Sequence, residues 1–441
     1  MNHDWLNNFW GLKENPFHIK PLSSREEIVG NFVNRDEEVE LLTNILSTTM
    51  TGISCGISGK RGSGKSTVLY KILSDIEEEG YGFTIVVNAS GELNRLEFLE
   101  MILFNICKRM KDIEISDDLK EEIARIFGNI IYENEKEQGT VERTTLGRSI
   151  RAGIASIFGA EVSDTKTDEI EDRITKRVKP YGPTTLIEEI TQILQKIRSE
   201  LTDKIIVIGI DETDKLTFKN SLALLQHIKP IINLEYCHLV FVGTEHFYIN
   251  FYRAFTENGL EDAETISIFQ NMCIIFPFDY QKDLDNLNEI IRKRIDFYEV
   301  KKGKGIIPFT NESIGIVFEM TRGLPKQLMQ VCSDIFMTHG RKCEIIGPDL
   351  VTQYFRNRNV FPEISPKEID FLKIALKLKS IKLASKAFRS IVKQRGLEEK
   401  SETNYYNIYK GLFDKGYLIR DPPSGRLKKY TPKIFCQYLG L

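Results

Sequence analysis

The chain lacks the features that would place it in a membrane or in an oxidising compartment. Its 441 residues contain no apolar run of about 18 residues, the length that a membrane-spanning helix needs. The seven cysteines are scattered without a C-x-x-C pair, which favours a reducing compartment and supports no zinc site. The first residues show no basic stretch followed by an apolar one, so no secretory signal is expected. We therefore expect a cytoplasmic protein without membrane contact.

Charge is distributed unevenly along the chain. Residues 365–441 contain 17 Lys and Arg against 7 Asp and Glu, a net charge of +10. Residues 1–364 contain 43 against 56, a net charge of −13. A charge run is often only a solvated face, but a basic module on an acidic body also indicates contact with a polyanion such as DNA.

The strongest motif is the segment 59–67, which fits the phosphate-binding pattern G-x-x-x-x-G-K-[ST] at each fixed position. Its glycines allow backbone N–H groups to point at phosphates, Lys65 can reach the β- and γ-phosphates, and Ser66 can ligate Mg²⁺. A β-prone run precedes the segment at 51–57, and an amphipathic helix follows at 67–76, as such a loop requires. The predicted nucleotide-binding residues are Gly59, Gly62, Gly64, Lys65, Ser66 and Thr67.

Two acidic residues directly follow an apolar strand predicted over 204–210. Asp211 is placed to hold Mg²⁺ through water, complementing Ser66. Glu212 is the best candidate to orient and polarise an attacking water. The alternative is that both residues are helix N-caps, but their combination with a phosphate loop favours a hydrolytic site.

Strands predicted over 51–57, 81–88, 204–210 and 238–243 alternate with helices, which indicates a doubly wound parallel α/β sheet. In such sheets ligands collect at the carboxyl ends of the strands, where the phosphate loop and the acidic pair both fall. Thr244 ends the fourth strand and can hydrogen-bond the γ-phosphate or the attacking water. A threonine at a strand end is also common without function.

The combined motifs resemble an AAA+ P-loop ATPase of the initiator clade, which contains the origin-recognition and cell-division-control ATPases. They also look like the related transposition and secretion ATPases, to which residues 11–17 are similar. Residues 32–39, Phe-Val-Asn-Arg-Asp-Glu-Glu-Val, resemble the adenine-proximal box F-V-G-R-E-x-E-L. Residues 210–216 resemble the Walker B strand D-E-x-D-x-L. The resemblance implies ATP and Mg²⁺ as cofactors, Val33 beside the adenine, and a homo-oligomer.

Residues 280–358 resemble the helical lid of this family, with helices predicted over 284–299, 311–321, 326–339 and 347–357. Residues 322–326 resemble the sensor-2 region, which implies that Pro325 and Lys326 lie near the nucleotide. The family usually has arginine at the position of Lys326, and lysine keeps the charge but not the planar fork. Residues 323–325, Gly-Leu-Pro, are also similar to the G-x-P motif of the STAND signalling ATPases.

Two regions depart from the family pattern. No arginine occurs between residues 254 and 278, so Arg253 is the nearest candidate for the arginine finger. The lack of an arginine there does not favour a closed ring in which each subunit's hydrolysis is activated by an arginine from its neighbour. Residues 134–180 are rich in charge, Thr, Ser and Gly, and we interpret them as an insertion that can serve as a protein-interaction surface.

The basic C-terminal region predicts three helices followed by a β-hairpin, the order of a winged-helix domain. Ser365 and Glu368 match a capping box with Pro366 at the first helical position. Further helices are predicted over 383–394 and 402–415. Residues 416–432, which read G-Y-L-I-R…R-L-K-K-Y-T-P, resemble the wing of such domains.

In helix-turn-helix geometry the third helix enters the major groove and the wing contacts phosphate or the minor groove. Tyr405 or Tyr406 can contact the DNA backbone. Winged helices also serve as protein-interaction modules, so protein docking is the alternative. The predicted DNA-binding residues are Asn404, Asn407, Lys410, Arg426, Lys428 and Lys429.

The sequence thus predicts four segments: an N-terminal extension at 1–30, an ATPase core at 31–279, a lid at 280–358 and a winged-helix domain at 359–441. The predicted function is an ATPase whose nucleotide state controls oligomerisation and binding to double-stranded DNA, as in initiation, transposition or mobile-element maintenance. One alternative is a STAND-like signalling or defence switch whose C-terminal domain contacts proteins. Another is a module that holds ATP structurally, against which the intact Glu212 argues.

Overall fold

The computed structural model groups the chain into two compact units. The α/β unit is Pro21–Phe276, and the helical unit combines Met1–Lys20 with Pro277–Leu441. The structure describes residues 5–19, 25–89, 95–110, 116, 118–119, 183–201, 204–215, 228, 230–249, 271–300, 306–342, 345–358, 365–383, 385–397, 402–415, 417–420, 429–433 and 436–437.

A parallel five-stranded sheet forms the centre of the α/β unit. The spatial order is β2-β3-β4-β1-β5, and every neighbouring pair is parallel. The four strands predicted from sequence are present, and a fifth lies at the edge beside β1. The strands are β1 (Ser54–Gly59), β2 (Gly82–Asn88), β3 (Ile205–Asp211), β4 (Cys237–Gly243) and β5 (Asn271–Ile275).

Helices cover both faces of this sheet. They are α1 (Arg25–Asn31), α2 (Asp36–Thr48), α3 (Lys65–Glu78), α4 (Arg95–Met110) and α5 (Pro183–Glu200). Alternate residues of β3 enter two separate cores: Ile206 and Ile208 pack with α4 and α5, whereas Ile205 and Val207 pack with α2 and α3. Burial on both faces explains why β3 is apolar throughout.

The helical unit begins with four helices, α6 (Tyr280–Tyr298), α7 (Asn311–Thr321), α8 (Pro325–His339) and α9 (Pro348–Asn357). The N-terminal residues 5–19 pack into this unit. Trp10 and Phe17 are fully buried, and the Trp10 indole donates to the Gly340 carbonyl at 2.9 Å. Phe9, between these two residues and the chain's start, is exposed.

The C-terminal region follows with α10 (Pro366–Leu378), β6 (Ile381–Lys382), α11 (Lys386–Gln394), α12 (Glu402–Asp414), β7 (Leu418–Arg420) and β8 (Lys429–Pro432). The three strands form an antiparallel sheet in the order β6-β8-β7. The predicted capping box is present, with Ser365 and Glu368 bonded reciprocally. The helices and the hairpin occur in the predicted order, and the assignment as a winged-helix domain stays a prediction.

One apolar core runs through the helical unit from α6 to β8. Phe318 of α7, Phe336 of α8 and Phe371 of α10 belong to it, all at 1% exposure or less.

Over the described residues, none of the helices has the length and the apolar character needed to cross a bilayer.

Candidate nucleotide site

The glycine-rich loop connects β1 to α3 in a backbone conformation that other residues disfavour. Gly62 and Gly64 have φ values of +84° and +100°, in the left-handed region. At Gly59, an added Cβ would lie 2.4 Å from the Ile275 carbonyl oxygen on the neighbouring strand. Close strand approach and left-handed turns therefore account for the glycines, and α3 begins directly after the loop, at Lys65.

Lys65 places a buried cation beneath the loop. Its ammonium group donates to the carbonyl oxygens of Gly59 and Lys60, each at 3.0 Å. Burial lowers the pKa of Lys65, and the carboxylates of Asp214 and Asp211 oppose that shift. A buried cation at a helix N-terminus is electrostatically suited to a phosphate group.

Ser66 and Asp211 meet although β4 lies between β3, which ends at Asp211, and β1, which leads into the helix of Ser66. The Ser66 hydroxyl donates to Asp211 Oδ1 at 3.1 Å. Burial raises the pKa of Asp211, while this hydrogen bond and one from the Glu212 backbone N–H oppose the shift. A hydroxyl and a buried carboxylate are oxygen donors of the kind that Mg²⁺ takes from proteins, usually with phosphates and waters completing the shell. No cluster of three or more His, Cys, Asp or Glu suited to a metal occurs among the described residues.

Glu212 adopts a left-handed backbone conformation with φ +60°. Its N–H donates to Asp211 Oδ1 at 2.8 Å, and its carboxylate is ion-paired with Lys215. The next residue, Thr213, is buried and donates from its hydroxyl to the Val242 carbonyl at 2.8 Å. The turn after β3 is therefore fixed to the end of β4.

Thr244 follows β4 at the same edge of the sheet. Its hydroxyl accepts from the Phe247 N–H at 3.4 Å, and its carbonyl accepts the same N–H at 3.0 Å. The observed contact is thus that of a helix N-cap, which a threonine at a strand end can make without a catalytic function. A contact with the γ-phosphate stays a prediction.

Tyr70 is a further residue of this edge that sequence patterns did not identify. Burial raises the pKa of its phenol, the carboxylates of Asp211 and Glu212 raise it further, and a hydrogen bond with Asn88 opposes the shift. Asn88 ends β2 directly opposite Asp211. The signal available in the sequence was Asn88 itself, a polar residue at the end of the predicted second strand and the hydrogen-bond partner of Tyr70.

The segment corresponding to the adenine-proximal box connects α1 to α2. Val33 is buried, and Asn34 stands where the family pattern has glycine. Asn34 has φ +48°, a conformation that asparagine tolerates better than most residues. Arg35 bonds Glu38 at 2.9 Å and the Phe276 carbonyl, which fixes the segment beside β5.

The sensor-2-like residues lie in the helical unit. Pro325 and Lys326 open α8, with proline at a favoured first position and the lysine side chain exposed. Gly323 has φ +69°, and an added Cβ would lie 2.0 Å from the Phe278 carbonyl oxygen. Local packing therefore requires this glycine, and roles for Pro325 and Lys326 toward a nucleotide stay predictions.

Helix α12 carries three of the predicted DNA contacts on its surface. Asn404, Asn407 and Lys410 are exposed, and Lys410 lies 4.0 Å from the Asp414 carboxylate. Tyr405 is 6% exposed and packs against aromatic rings of the core. The prediction that Tyr405 contacts the DNA backbone is therefore wrong. Tyr406, the other residue named for that contact, is half-buried. Lys429 belongs to β8; Arg426, Lys428, Arg253 and the 134–180 insertion lie outside the described residues.

Comparisons with known proteins agree with this geometry. A model of the KAP family P-loop domain matches residues 35–303. The chain is 22% identical over 325 residues to an uncharacterized HTH-type transcriptional regulator of Methanocaldococcus jannaschii, covering 73% of this chain and 67% of that protein. It is similar in structure to Cdc6p from Pyrobaculum aerophilum, with a TM-score of 0.50, 11% identity, and coverage of 97% and 96% of the two chains. This likeness concerns the fold alone, and together with the family match it confirms the predicted α/β fold of a P-loop NTPase.

Proposed function

The chain belongs to the KAP family of P-loop NTPases, and on that premise we propose that it hydrolyses ATP with Mg²⁺ and that its nucleotide state controls oligomerisation and duplex DNA binding. The observation that carries the hydrolytic part is the hydrogen bond between Ser66 and Asp211 beside a left-handed glycine loop. This pairing brings the two candidate metal-binding oxygen groups next to the candidate phosphate loop.

Each residue of this edge has a proposed task. The loop N–H groups and Lys65 hold the phosphates, and Glu212 accepts a proton from the attacking water. Ser66 and Asp211 would hold Mg²⁺, which when bound supplies charge neutralisation at the β- and γ-phosphates. Thr244 orients the water or the γ-phosphate.

The exposed face of α12 supports the DNA-binding part. Asn404, Asn407 and Lys410 lie on a surface helix within a region of net charge +10. The name of the Methanocaldococcus jannaschii relative also favours a helix-turn-helix role. Residues of α8 and α12 belong to one apolar core. A conformational change at α8 can therefore be transmitted to α12 through packed side chains.

Nucleotide binding by the full-length protein tests the site. Lys65→Ala should abolish ATP binding, whereas Lys204→Ala, which removes an exposed cation at the opposite end of β3, should leave it unchanged. Glu212→Gln should retain ATP with little turnover. Undiminished ATP binding by Lys65→Ala would reject the assignment of the phosphate loop.

Fluorescence anisotropy of a labelled duplex, with ATP, with ADP and without nucleotide, tests the DNA-binding part. Lys428→Ala with Lys429→Ala should weaken binding to all sequences alike and reduce the salt slope by about 2. Arg341→Ala with Lys342→Ala is the matched control, because these adjacent exposed cations lie outside the basic region. An absence of DNA binding in every nucleotide state would instead favour the signalling switch, with protein contacts through the C-terminal region.

Oligomerisation is tested separately, by sedimentation of the full-length protein with each nucleotide.

A further inference from the structure

A cavity of about 630 Å³ lies in the α/β unit at the edge of the sheet opposite the phosphate loop. It is bounded by the end of α5 and by the first residues of β3 and β4, so it is separate from the candidate nucleotide site. Apolar side chains of Leu194, Ile206 and Leu234 form part of its wall. Its volume is within the range of about 300–1,000 Å³ that is usual for small-molecule sites.

Arg198 gives this cavity a cation. Its guanidinium carbon lies 4.0 Å from the centroid of the Tyr236 ring, a cation–π contact. Its Nε is buried, and among the described residues Nε has no hydrogen-bond partner and Arg198 has no ion pair. No described carboxylate therefore neutralises its charge, which an anionic ligand in the cavity can do.

The stacking partner of Arg198 is held rigidly. Tyr236 has φ +60°, and its backbone N–H donates to the Met50 carbonyl at 2.8 Å. Its carbonyl accepts from the Ile206 N–H at 2.7 Å. These hydrogen bonds fix the backbone that carries the ring at the start of the sheet, so the ring that contacts the Arg198 guanidinium has a fixed point of attachment.

We propose that this cavity binds a small monocarboxylate that carries an apolar or aromatic group. The planar guanidinium fork matches a carboxylate in a bidentate pair, and the apolar wall accepts the rest of the ligand. Glu235, an exposed acidic residue, also lines the cavity, and its negative charge disfavours ligands with several negative charges, such as nucleotides. Burial raises the pKa of Cys237 to about 12, so the thiol of this cavity residue is neutral at physiological pH.

The proposal is tested by titrating the full-length protein with phenylacetate and following saturation-transfer NMR. Phenylacetamide, the neutral isostere, and phenyl phosphate, which carries more charge, serve as probes of the ligand class. Phenylacetate should bind saturably at concentrations up to about 10 mM, and the two analogues should bind at least about tenfold more weakly. No saturable binding of phenylacetate, or equal binding of the amide, would overturn the proposal.

Variants locate the site. Arg198→Met should weaken phenylacetate at least about tenfold, and Arg198→Lys, which keeps the charge without the fork, should restore little of it. Lys196→Met removes an exposed cation of the same helix that does not line the cavity, and its binding should equal that of the wild type. Equal losses in Arg198→Met and Lys196→Met would show general charge attraction and reject the site. ATP binding reports correct folding of every variant, so a failure here is distinguishable from a failure of the nucleotide site.

Discussion

The ammonium group of Lys215 is ion-paired with the carboxylate of Glu212, three residues earlier in the turn that follows β3. The turn is closed by a hydrogen bond from the Lys215 N–H to the Glu212 carbonyl at 2.9 Å. Both side chains are about two-fifths exposed, at 42% and 41%. The proposed general base is therefore engaged by a neighbouring cation in this structure.

Removing this cation is expected to raise the rate of ATP hydrolysis. An exposed ion pair is worth at most about 1 kcal/mol, so Lys215→Met should increase kcat by no more than about fivefold. Lys215→Arg retains the charge and should keep the wild-type rate. Steady-state ATPase assays measure both. A lower rate in Lys215→Met would mean that Lys215 holds Glu212 in its productive position.

A second prediction concerns Asn34, the residue in place of the family glycine. Asn34→Gly should leave the free energy of unfolding nearly unchanged, because glycine adopts φ +48° without strain. Asn34→Ala should cost about 1 kcal/mol, since alanine has a Cβ and no polar group to offset the left-handed conformation. Urea denaturation measures both variants. Equal losses would show that the asparagine side chain, rather than its backbone, stabilises the segment.

The parts of the fold that were predicted from sequence were those with an unambiguous local signal, such as an unbroken apolar run or a capping box. Strand β3 was evident because it is buried on both faces, and α10 because its capping box and proline mark the first turn. Strand β5 was not located: it is short and lies at the edge, with burial that alternates at its end. Helix α5 was also not predicted, although its buried residues recur every three or four positions from Leu186 to Ile197.

Within the candidate site, the order of motifs predicted which groups meet but not how each is held. Ser66 and Asp211 are 145 residues apart and were expected together, as their hydrogen bond bears out. The pairing of Glu212 with Lys215 depends on a left-handed residue in a short turn, and no residue pattern specifies that conformation. Tyr405 illustrates the same limit, since adjacent positions of α12 place one tyrosine in the core and leave the next half-buried.

His238 is expected to make stability sensitive to acid. Its side chain is fully buried in β4, and its Nδ1 accepts from the Ile53 N–H at 3.3 Å. Burial lowers the pKa of His238 from 6.5 to about 4, so the unfolded chain binds more protons between these values. The contribution is present above pH 6.5 and is lost as the pH falls toward 4, by about 2 kcal/mol between pH 7 and pH 5.

His238→Asn is the matched variant for this prediction, because its amide oxygen can accept from Ile53 but does not titrate. Urea denaturation at pH 7 and pH 5 should show a shallower pH dependence for this variant than for the wild type. Identical slopes would assign the acid sensitivity to other groups.

The Mg²⁺ requirement of hydrolysis should depend on the hydroxyl of Ser66. That hydroxyl is 3.1 Å from Asp211, and both are oxygen donors at the carboxyl edge of the sheet. Ser66→Ala should raise the Mg²⁺ concentration for half-maximal ATPase activity at least about tenfold, and chelation by EDTA should stop the wild-type reaction. Ser66→Thr keeps a hydroxyl and satisfies the loop pattern, so it should retain most of the Mg²⁺ affinity. Ser74→Ala removes a hydroxyl of the same helix that donates to Glu78 and lies away from the loop, and it should behave as wild type. If Ser66→Ala left the Mg²⁺ dependence unchanged while Asp211→Asn shifted it, the metal would be held from β3 alone.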